Sequence, residues 1–304
     1  MYSSPDLPTE ELVALISDAF KKKPVKWKKP HTGLTVAQRF VTTFEDGSSL
    51  FVKAAMDDFT EECLRIDHLI MTTLKEDFVP DVLVWLEPPG QRPVLVIEDL
   101  SNAHWPADHD PVLWKPGQFE ILFETLKRVA AITAPESLPA ATNPTSSHWR
   151  IIAEELEAFS QLELCPDRWL GQALPTLIAA EEQAVLEGDA LVHDDVRSDN
   201  LCFFDKRMVL VDWSQAQRGS PLHDLSYVIS FLPLEGGPDP YKIMPEGGDW
   251  AAYRSGQFAL RATKETNAPA WLHKVFQRLV IITLKWAASS LKLPTWDGKD
   301  WQEI

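Results

Sequence analysis

The residues with the clearest chemical potential lie together in Leu191-Val192-His193-Asp194-Asp195-Val196-Arg197-Ser198-Asp199-Asn200, followed after the apolar run Met208-Val209-Leu210-Val211 by Asp212 and Trp213. Transfer of a terminal phosphoryl group needs a carboxylate that orients the acceptor hydroxyl and takes its proton. It also needs oxygen ligands for the magnesium that neutralises the phosphates. The spacing H-x-D-x-x-x-x-N, with a further Asp at the end of the next short strand, supplies that set. Asp195 is the candidate base, and Asn200 and Asp212 are the candidate metal ligands. A polar turn between buried strands, with carboxylates merely solvated or capping, would not demand those residue types in that register.

Such a loop must be held by flanking structure, and the sequence provides it. The short apolar stretch 190–192 leads in, and the segments 201–204 and 208–211 form a hairpin-like pair turning at Asp205-Lys206-Arg207. Further upstream, Thr9-Glu10-Glu11 opens a helix whose Leu12, Leu15, Ile16, Ala19 and Phe20 fall on one face. An extended segment over 35–44 is followed by Glu45-Asp46-Gly47-Ser48 and a strand over 50–55. Asp-Gly between two β-rich runs predicts a hairpin. A helix over 59–74 and strands over 82–86 and 93–97 come next. After Glu98-Asp99-Leu100 the pattern turns almost wholly helical, apart from the catalytic loop. Segments 102–118 and 233–250, rich in Pro, Gly, Asp and Trp, are expected to be loops.

The shift near residue 100 predicts an α+β chain in two lobes. Residues 1–99 form a small N-terminal lobe with an antiparallel sheet plus a helix, and residues 100–304 a larger, mainly helical C-terminal lobe. The hinge falls at about 96–101, with a nucleotide cleft between the lobes.

The chain has 304 residues, of which 45% are hydrophobic, enough to bury a substantial core. The net charge of −16 argues against nucleic acid as a partner. The most apolar late stretch, 278–286, is interrupted by Lys285 and reads as a buried helix, so no membrane partner is expected. The start lacks the pattern of a secretory signal, and a cytoplasmic location follows by default. Three cysteines, Cys63, Cys165 and Cys202, are odd in number and irregularly spaced, which indicates neither a disulfide framework nor a zinc site. The lysine-rich run 21–29 reads as a solvated helix end and first strand, the alternative being a phosphate-attracting edge.

The chain resembles the aminoglycoside phosphotransferase family, the kinase-like enzymes that phosphorylate hydroxyls on antibiotics and small metabolites. The resemblance runs from about Gly33 to Asp224. It is carried by His193 to Asn200, by Asp212-Trp213, by Arg218-Gly219-Ser220-Pro221-Leu222-His223-Asp224-Leu225 and by the strand lysine Lys53. It implies a two-lobed protein-kinase-like fold, Mg2+ as cofactor and ATP or GTP as phosphoryl donor. It implies that Asp224 buttresses the catalytic loop, in which His193 is also structural. Lys53 would reach the α- and β-phosphates and pair with an acid on the following helix. Asp67 stands where the family has Glu, with Glu62 one turn earlier as the rival. Gly33 is placed to turn a loop over the phosphates, although no G-x-G-x-x-G is present. Backbone groups of the connector, Glu98 and Leu100 among them, would recognise the base.

Arg197 can brace charge that develops during transfer, or form a salt bridge to Asp194 or Asp199. Asp194 occupies a position where many members of the family have glycine. Among the twelve tryptophans, Trp105, Trp114, Trp250 and Trp296 lie on or near expected loops, whereas Trp149, Trp271 and Trp286 fall in helical patterns and are expected in the core. The acceptor is expected to be a small hydroxylated molecule. An acidic cleft formed by residues such as Glu235, Asp239, Glu246 and Asp249, with Trp250 as a further candidate substrate contact, suits a cationic antibiotic such as an aminoglycoside or a basic cyclic peptide. An aromatic box suits choline or another amino alcohol instead. A non-catalytic, nucleotide-binding module is the alternative of another class. The expected assembly is a monomer or a homodimer.

Overall fold

The computed structural model describes residues 5–30, 35–265 and 268–304. The elements are α1 (Glu10–Phe20), β1 (Pro24–Lys28), β2 (Gln38–Phe44), β3 (Ser49–Ala54), α2 (Asp58–Thr73), β4 (Val82–Leu86), β5 (Val94–Glu98), α3 (Gln118–Ala130), α4 (His148–Glu154), α5 (Leu156–Ser160), α6 (Asp167–Glu181), β6 (Ala190–Val192), β7 (Leu201–Phe204), β8 (Arg207–Leu210), β9 (Gln217–Gly219), α7 (His223–Phe231), α8 (Pro240–Ile243), α9 (Gly248–Lys264) and α10 (Ala270–Ser290). They group into two compact units, Met1–Thr125 with His193–Gln217, and Leu126–Val192 with Arg218–Ile304.

The first unit is built on an antiparallel five-stranded sheet in the order β1-β2-β3-β5-β4. The Asp46-Gly47 turn sets the register of β2 on β3, so that Arg39 faces Lys53 and Val41 faces Phe51. Residues alternate between the faces of a sheet. Phe40, Phe44, Leu50, Val52, Ala54, Val94 and Val96 pack with Leu12 and Ile16 of α1 into one core. Arg39, Phe51 and Lys53 therefore lie on the opposite face. There α2, opened by a capping box between Asp57 and Thr60, buries Leu64, Asp67, Ile70 and Met71. The hairpin β7–β8 belongs to the same unit, with Cys202 and Val209 packed on Leu100. Leu210 N–H donates to the Phe78 carbonyl at 2.8 Å.

The second unit is mainly helical. In it, α9 packs against α4, α6 and α10, with Trp149, Phe258, Leu279 and Trp286 fully buried. The expected apolar helix is α10, which buries Leu279 to Leu284. Gly219, in the run that carries the family resemblance, is pressed by its neighbours. A Cβ there would stand 3.0 Å from the Leu186 carbonyl oxygen and 3.2 Å from a Val192 methyl group.

Three expectations are corrected. Segment 233–250 is not simply a loop: it contains α8, whose Asp239-Pro240 start is a helix cap followed by proline at the first helical position. The same segment runs into α9, so Trp250 is a helical residue, 2% exposed. Trp271, expected in the core, is 60% exposed because it stands in the first turn of α10, before the buried stripe begins at Phe276. No helix among the described residues is long and apolar enough to cross a membrane.

Candidate active site

The first unit alone assembles most of the residues singled out by sequence. Lys53 projects from β3 and donates to Asp67 Oδ2 at 2.5 Å and to Asp212 Oδ1 at 2.9 Å. Asp67, one turn beyond Glu62 on α2, is therefore the acid that pairs with the strand lysine, while Glu62 is exposed. The shorter side chain reaches because α2 lies close on this face of the sheet. Asp67 is 1% exposed, and its second oxygen, Oδ1, has no hydrogen-bond partner among the described residues.

These three charges have unequal settings. Burial works against the Lys53 ammonium, but Asp212 and Asp67 overcome it and raise its pKa above the ordinary lysine value. Burial also disfavours ionised Asp212. The Lys53 cation and hydrogen bond, with help from the Ser214 side chain and Arg39, outweigh it and hold this carboxyl well below the usual range. At Asp67 burial prevails over Lys53 and pushes the carboxyl up to about 6.

The catalytic-loop residues form a second, connected set. Asn200 donates its side-chain amide to Asp195 twice, to the backbone oxygen at 2.9 Å and to Oδ2 at 2.8 Å. Its Oδ1 is thus left as an oxygen donor. Asp195 is raised above the ordinary carboxylate value by burial, with Arg197 and His193 opposing. Arg197 grips Asp199 through two hydrogen bonds of 3.1 Å and passes 3.4 Å from Asp195 Oδ1. The salt bridge to Asp199, one of the readings open in the sequence, is formed.

The backbone ties the loop to the strand that follows it. His193, fully buried against the Trp213 ring, makes an Nε2 hydrogen bond to the Val211 carbonyl at 3.0 Å and accepts the Asp195 N–H at Nδ1 at 3.3 Å. Val211 N–H in turn donates to the Asn200 carbonyl at 3.0 Å. Asp194 and Asp212 both adopt the left-handed conformation, at φ 64° and φ 61°. Glycine does so without strain and Asp tolerates it.

The donor chemistry fits a hard cation. The Asn200 side-chain oxygen and the Asp212 carboxylate are oxygen ligands of the type Mg2+ takes. No cluster of three or more His, Cys, Asp or Glu residues suited to a metal occurs among the described residues.

At the connector, the Leu100 carbonyl already accepts Ala103 N–H at 3.0 Å and Trp105 Nε1 at 3.1 Å. The Glu98 side chain accepts from Asp81 N–H and lies 3.4 Å from Arg207 on the hairpin. Gly33 lies outside the described residues. Asp224, Glu235, Asp239 and Trp250 belong to the second unit. There Asp224 is buried in the first turn of α7. Asp239 caps α8 by accepting Tyr241 N–H at 2.8 Å. Trp250 packs edge-on to His223 and Tyr253. The other loop tryptophans anchor their loops: Trp114 lies against Phe119 and Phe203, and Trp296 against Trp169.

Sequence reasoning missed Arg39, a buried arginine directly across from Lys53. The signal was available, because folding the hairpin about Asp46 places 39 opposite 53.

A model of the phosphotransferase enzyme family matches residues 38–258. Among curated proteins no match is found. Solved structures similar to this chain include a thermostable mutant of the aminoglycoside phosphotransferase APH(4)-Ia in ternary complex with ADP and hygromycin B, at 16% identity and a TM-score of 0.59, over 91% of this chain and 99% of that one. The macrolide 2'-phosphotransferase MphH from Brachybacterium faecium is similar at 13% identity and a TM-score of 0.55, over 90% and 98%. The GDP complex of aminoglycoside 2'-phosphotransferase-IIIa is similar at 9% identity and a TM-score of 0.58, over 92% and 97%. The fold is thus the kinase-like one of these phosphotransferases.

Proposed function

Because the chain belongs to the phosphotransferase enzyme family, we propose that it transfers the γ-phosphoryl of a nucleoside triphosphate, ATP or GTP, to a hydroxyl of a small cationic molecule. The observation that carries this reading is the Asp195–Asn200 pair. A carboxylate of raised pKa is fixed by the amide of Asn200, whose remaining oxygen is free to take a metal.

In the reaction, Asp195 accepts a hydrogen bond from the acceptor hydroxyl and takes its proton as the oxygen attacks the γ-phosphorus. The bond from that phosphorus to the β-phosphate oxygen breaks, and the nucleoside diphosphate leaves. Arg197, locked on Asp199, keeps a positive charge beside Asp195 and so limits the rise of its pKa. Lys53, oriented by Asp67 and Asp212, holds the nucleotide phosphates. Asn200 Oδ1 and Asp212 would hold Mg2+, which supplies charge neutralisation at the phosphate oxygens. His193 and Asp224 act as structural supports. The connector residues Glu98 and Leu100 line the base; with the Leu100 carbonyl already used twice, recognition at that residue falls to its N–H.

For the acceptor, a cationic antibiotic such as an aminoglycoside is the reading kept, its positive charges suiting the acidic segment with Glu235 and the exposed Asp239, whose side chain also caps α8. An aromatic box for choline loses support, because Trp250 is buried and the other loop tryptophans anchor their own segments. A non-catalytic module loses the departure that favoured it, since Asp67 does pair with Lys53.

The test is release of nucleoside diphosphate from Mg-ATP and Mg-GTP across aminoglycosides, basic cyclic peptides, macrolides, choline and amino alcohols, with mass spectrometry of each acceptor. Addition of one phosphate to one compound class establishes the reaction and acceptor. Nucleotide binding without product on any of them overturns the antibiotic reading.

A further inference from the structure

Beside Lys53 stands Arg39, a buried cation to which the reaction described above assigns no role. It lies on β2, 8% exposed, in cross-strand register with Lys53. Cross-strand partners in an antiparallel pair point to the same face with their Cβ atoms close together. The guanidinium is thus on the Lys53 face, near enough to Asp212 for each to feel the other's charge. Burial disfavours its charged form, and Asp212 only partly offsets this.

Its hydrogen bonding does not account for a buried guanidinium. Among the described residues, the side chain makes one hydrogen bond, from Nη2 to the Thr35 carbonyl at 3.3 Å, and no carboxylate lies within 4.0 Å of it. A guanidinium carries five N–H donors in a fixed fork, and buried charge is costly unless paired. Asp212 is not available as a full partner, because Oδ1 is bound by Lys53. Arg39 therefore stands beside Lys53 with most of its donor capacity uncommitted, close enough to Asp212 to feel the charge of the carboxylate expected to face the metal. The sequence also lacks a G-x-G-x-x-G, whose backbone amides would otherwise cradle the phosphates.

We propose that Arg39 is a second phosphate-binding cation, which with Lys53 clamps the polyphosphate of the bound nucleotide. The inference rests on the nucleotide-dependent reading above and adds a residue to it. The ligand chemistry is that of a di- or triphosphate ester. A planar fork matches phosphate oxygens two at a time, whereas Lys53, held by two carboxylates, contributes a point charge. The clamp also assigns a purpose to the β2–β3 register, which brings a guanidinium and an ammonium side by side on one face.

Calorimetry on the full chain tests this, with Mg-ATP, Mg-GTP and the corresponding nucleosides titrated into wild type, Arg39→Gln and Arg39→Lys, and thermal melts run on each. Arg39→Gln is expected to weaken triphosphate binding by about tenfold or more, with nucleoside affinity unchanged. Arg39→Lys should fall in between, since it keeps the charge and loses the fork. A purely structural role would shift melting and both affinities together. If Arg39→Gln does not fold, Arg39→Lys alone decides, through the ratio of triphosphate to nucleoside affinity. Wild-type binding with that ratio unchanged in the folded variants overturns the role of Arg39 and leaves the parent reading standing. A wild-type chain that binds neither triphosphate overturns both.

Discussion

Arg39 and Arg254 are both buried, yet the two units treat them differently. In the second unit Arg254 is 1% exposed. It donates to Ser226 Oγ, Gln257 Oε1, the His223 carbonyl and His223 Nδ1, and lies over the rings of Tyr227, Trp250 and Tyr253. Among the described residues, the Arg39 side chain makes one hydrogen bond. The buried carboxylates repeat the contrast. Glu181 takes His148 N–H and Trp149 N–H on its two oxygens, plus the His148 ring, whereas Asp67 leaves Oδ1 unmatched. Arg254 and Glu181 are satisfied within the chain, although Arg218 Nε, Arg278 Nε and Ser290 Oγ of the same unit find no partner among the described residues. Asp67 and Arg39, beside Lys53, keep capacity in reserve, which is what the proposed binding of a highly charged ligand would use.

The sharpest test of this contrast is Asp195→Asn. If Asp195 is the base as proposed, the change is expected to lower turnover by about a hundred- to ten-thousand-fold, with the melting temperature nearly unmoved; a large loss of melting temperature would place Asp195 with the structural group. The mirror-image variant is Arg254→Met, expected to cost about 3 kcal/mol or more in denaturant titrations while leaving triphosphate affinity of the folded fraction intact.

Next in size come opposite pH signatures. Burial, helped by Arg254, holds the His223 imidazole down to about 2. The unfolded chain therefore gains a proton below about pH 6.5 that the folded chain refuses. Stability from this residue is present above that pH and declines as pH falls, by roughly 1.4 kcal/mol per unit. His223→Gln should flatten that slope in urea titrations. Asp67 works the other way. With its folded pKa raised to about 6, its contribution is fullest at acid pH and is lost as pH rises through about 6. Asp67→Asn should abolish that loss, and an unchanged profile would mean that Asp67 titrates alike in the folded and unfolded chain.

The smallest effect expected is a displacement of the acid limb of the pH–rate profile. Arg197 opposes the rise at Asp195, so Arg197→Ala should move the limb to higher pH. A limb that moves to lower pH would show that Arg197 does not act through Asp195.

How much of this could be read from sequence depended on distance along the chain. The loop from His193 to Asn200, the hairpin and Asp212 are contiguous, so their residue types and spacing were enough. Strands β2 to β5, α1 and α2 followed from alternation, helical periodicity and the Asp46-Gly47 turn. Asp67 was reached only through the family resemblance, because nothing local distinguishes it from Glu62 until α2 is packed on the sheet. Arg39 escaped because its meaning lies in a cross-strand register rather than in a motif. Trp250 was misplaced because Glu246-Gly247-Gly248-Asp249 reads as a turn, whereas Gly248 and Asp249 already lie in α9. There the close approach of Met244 and Trp286 to Gly247 and of Leu291 to Gly248 requires glycine.

The hydrogen bonds from His193 to the Val211 carbonyl and from Val211 to the Asn200 carbonyl close the loop and the strand end into one ring. The relative positions of the proposed base and both candidate metal ligands are consequently settled during folding, before any ligand arrives. Binding then need not supply the conformational entropy of gathering them, so affinity is not diminished by that ordering cost. In hydrogen-exchange experiments, the Val211 amide should be as slow in the free chain as in the nucleotide-saturated one.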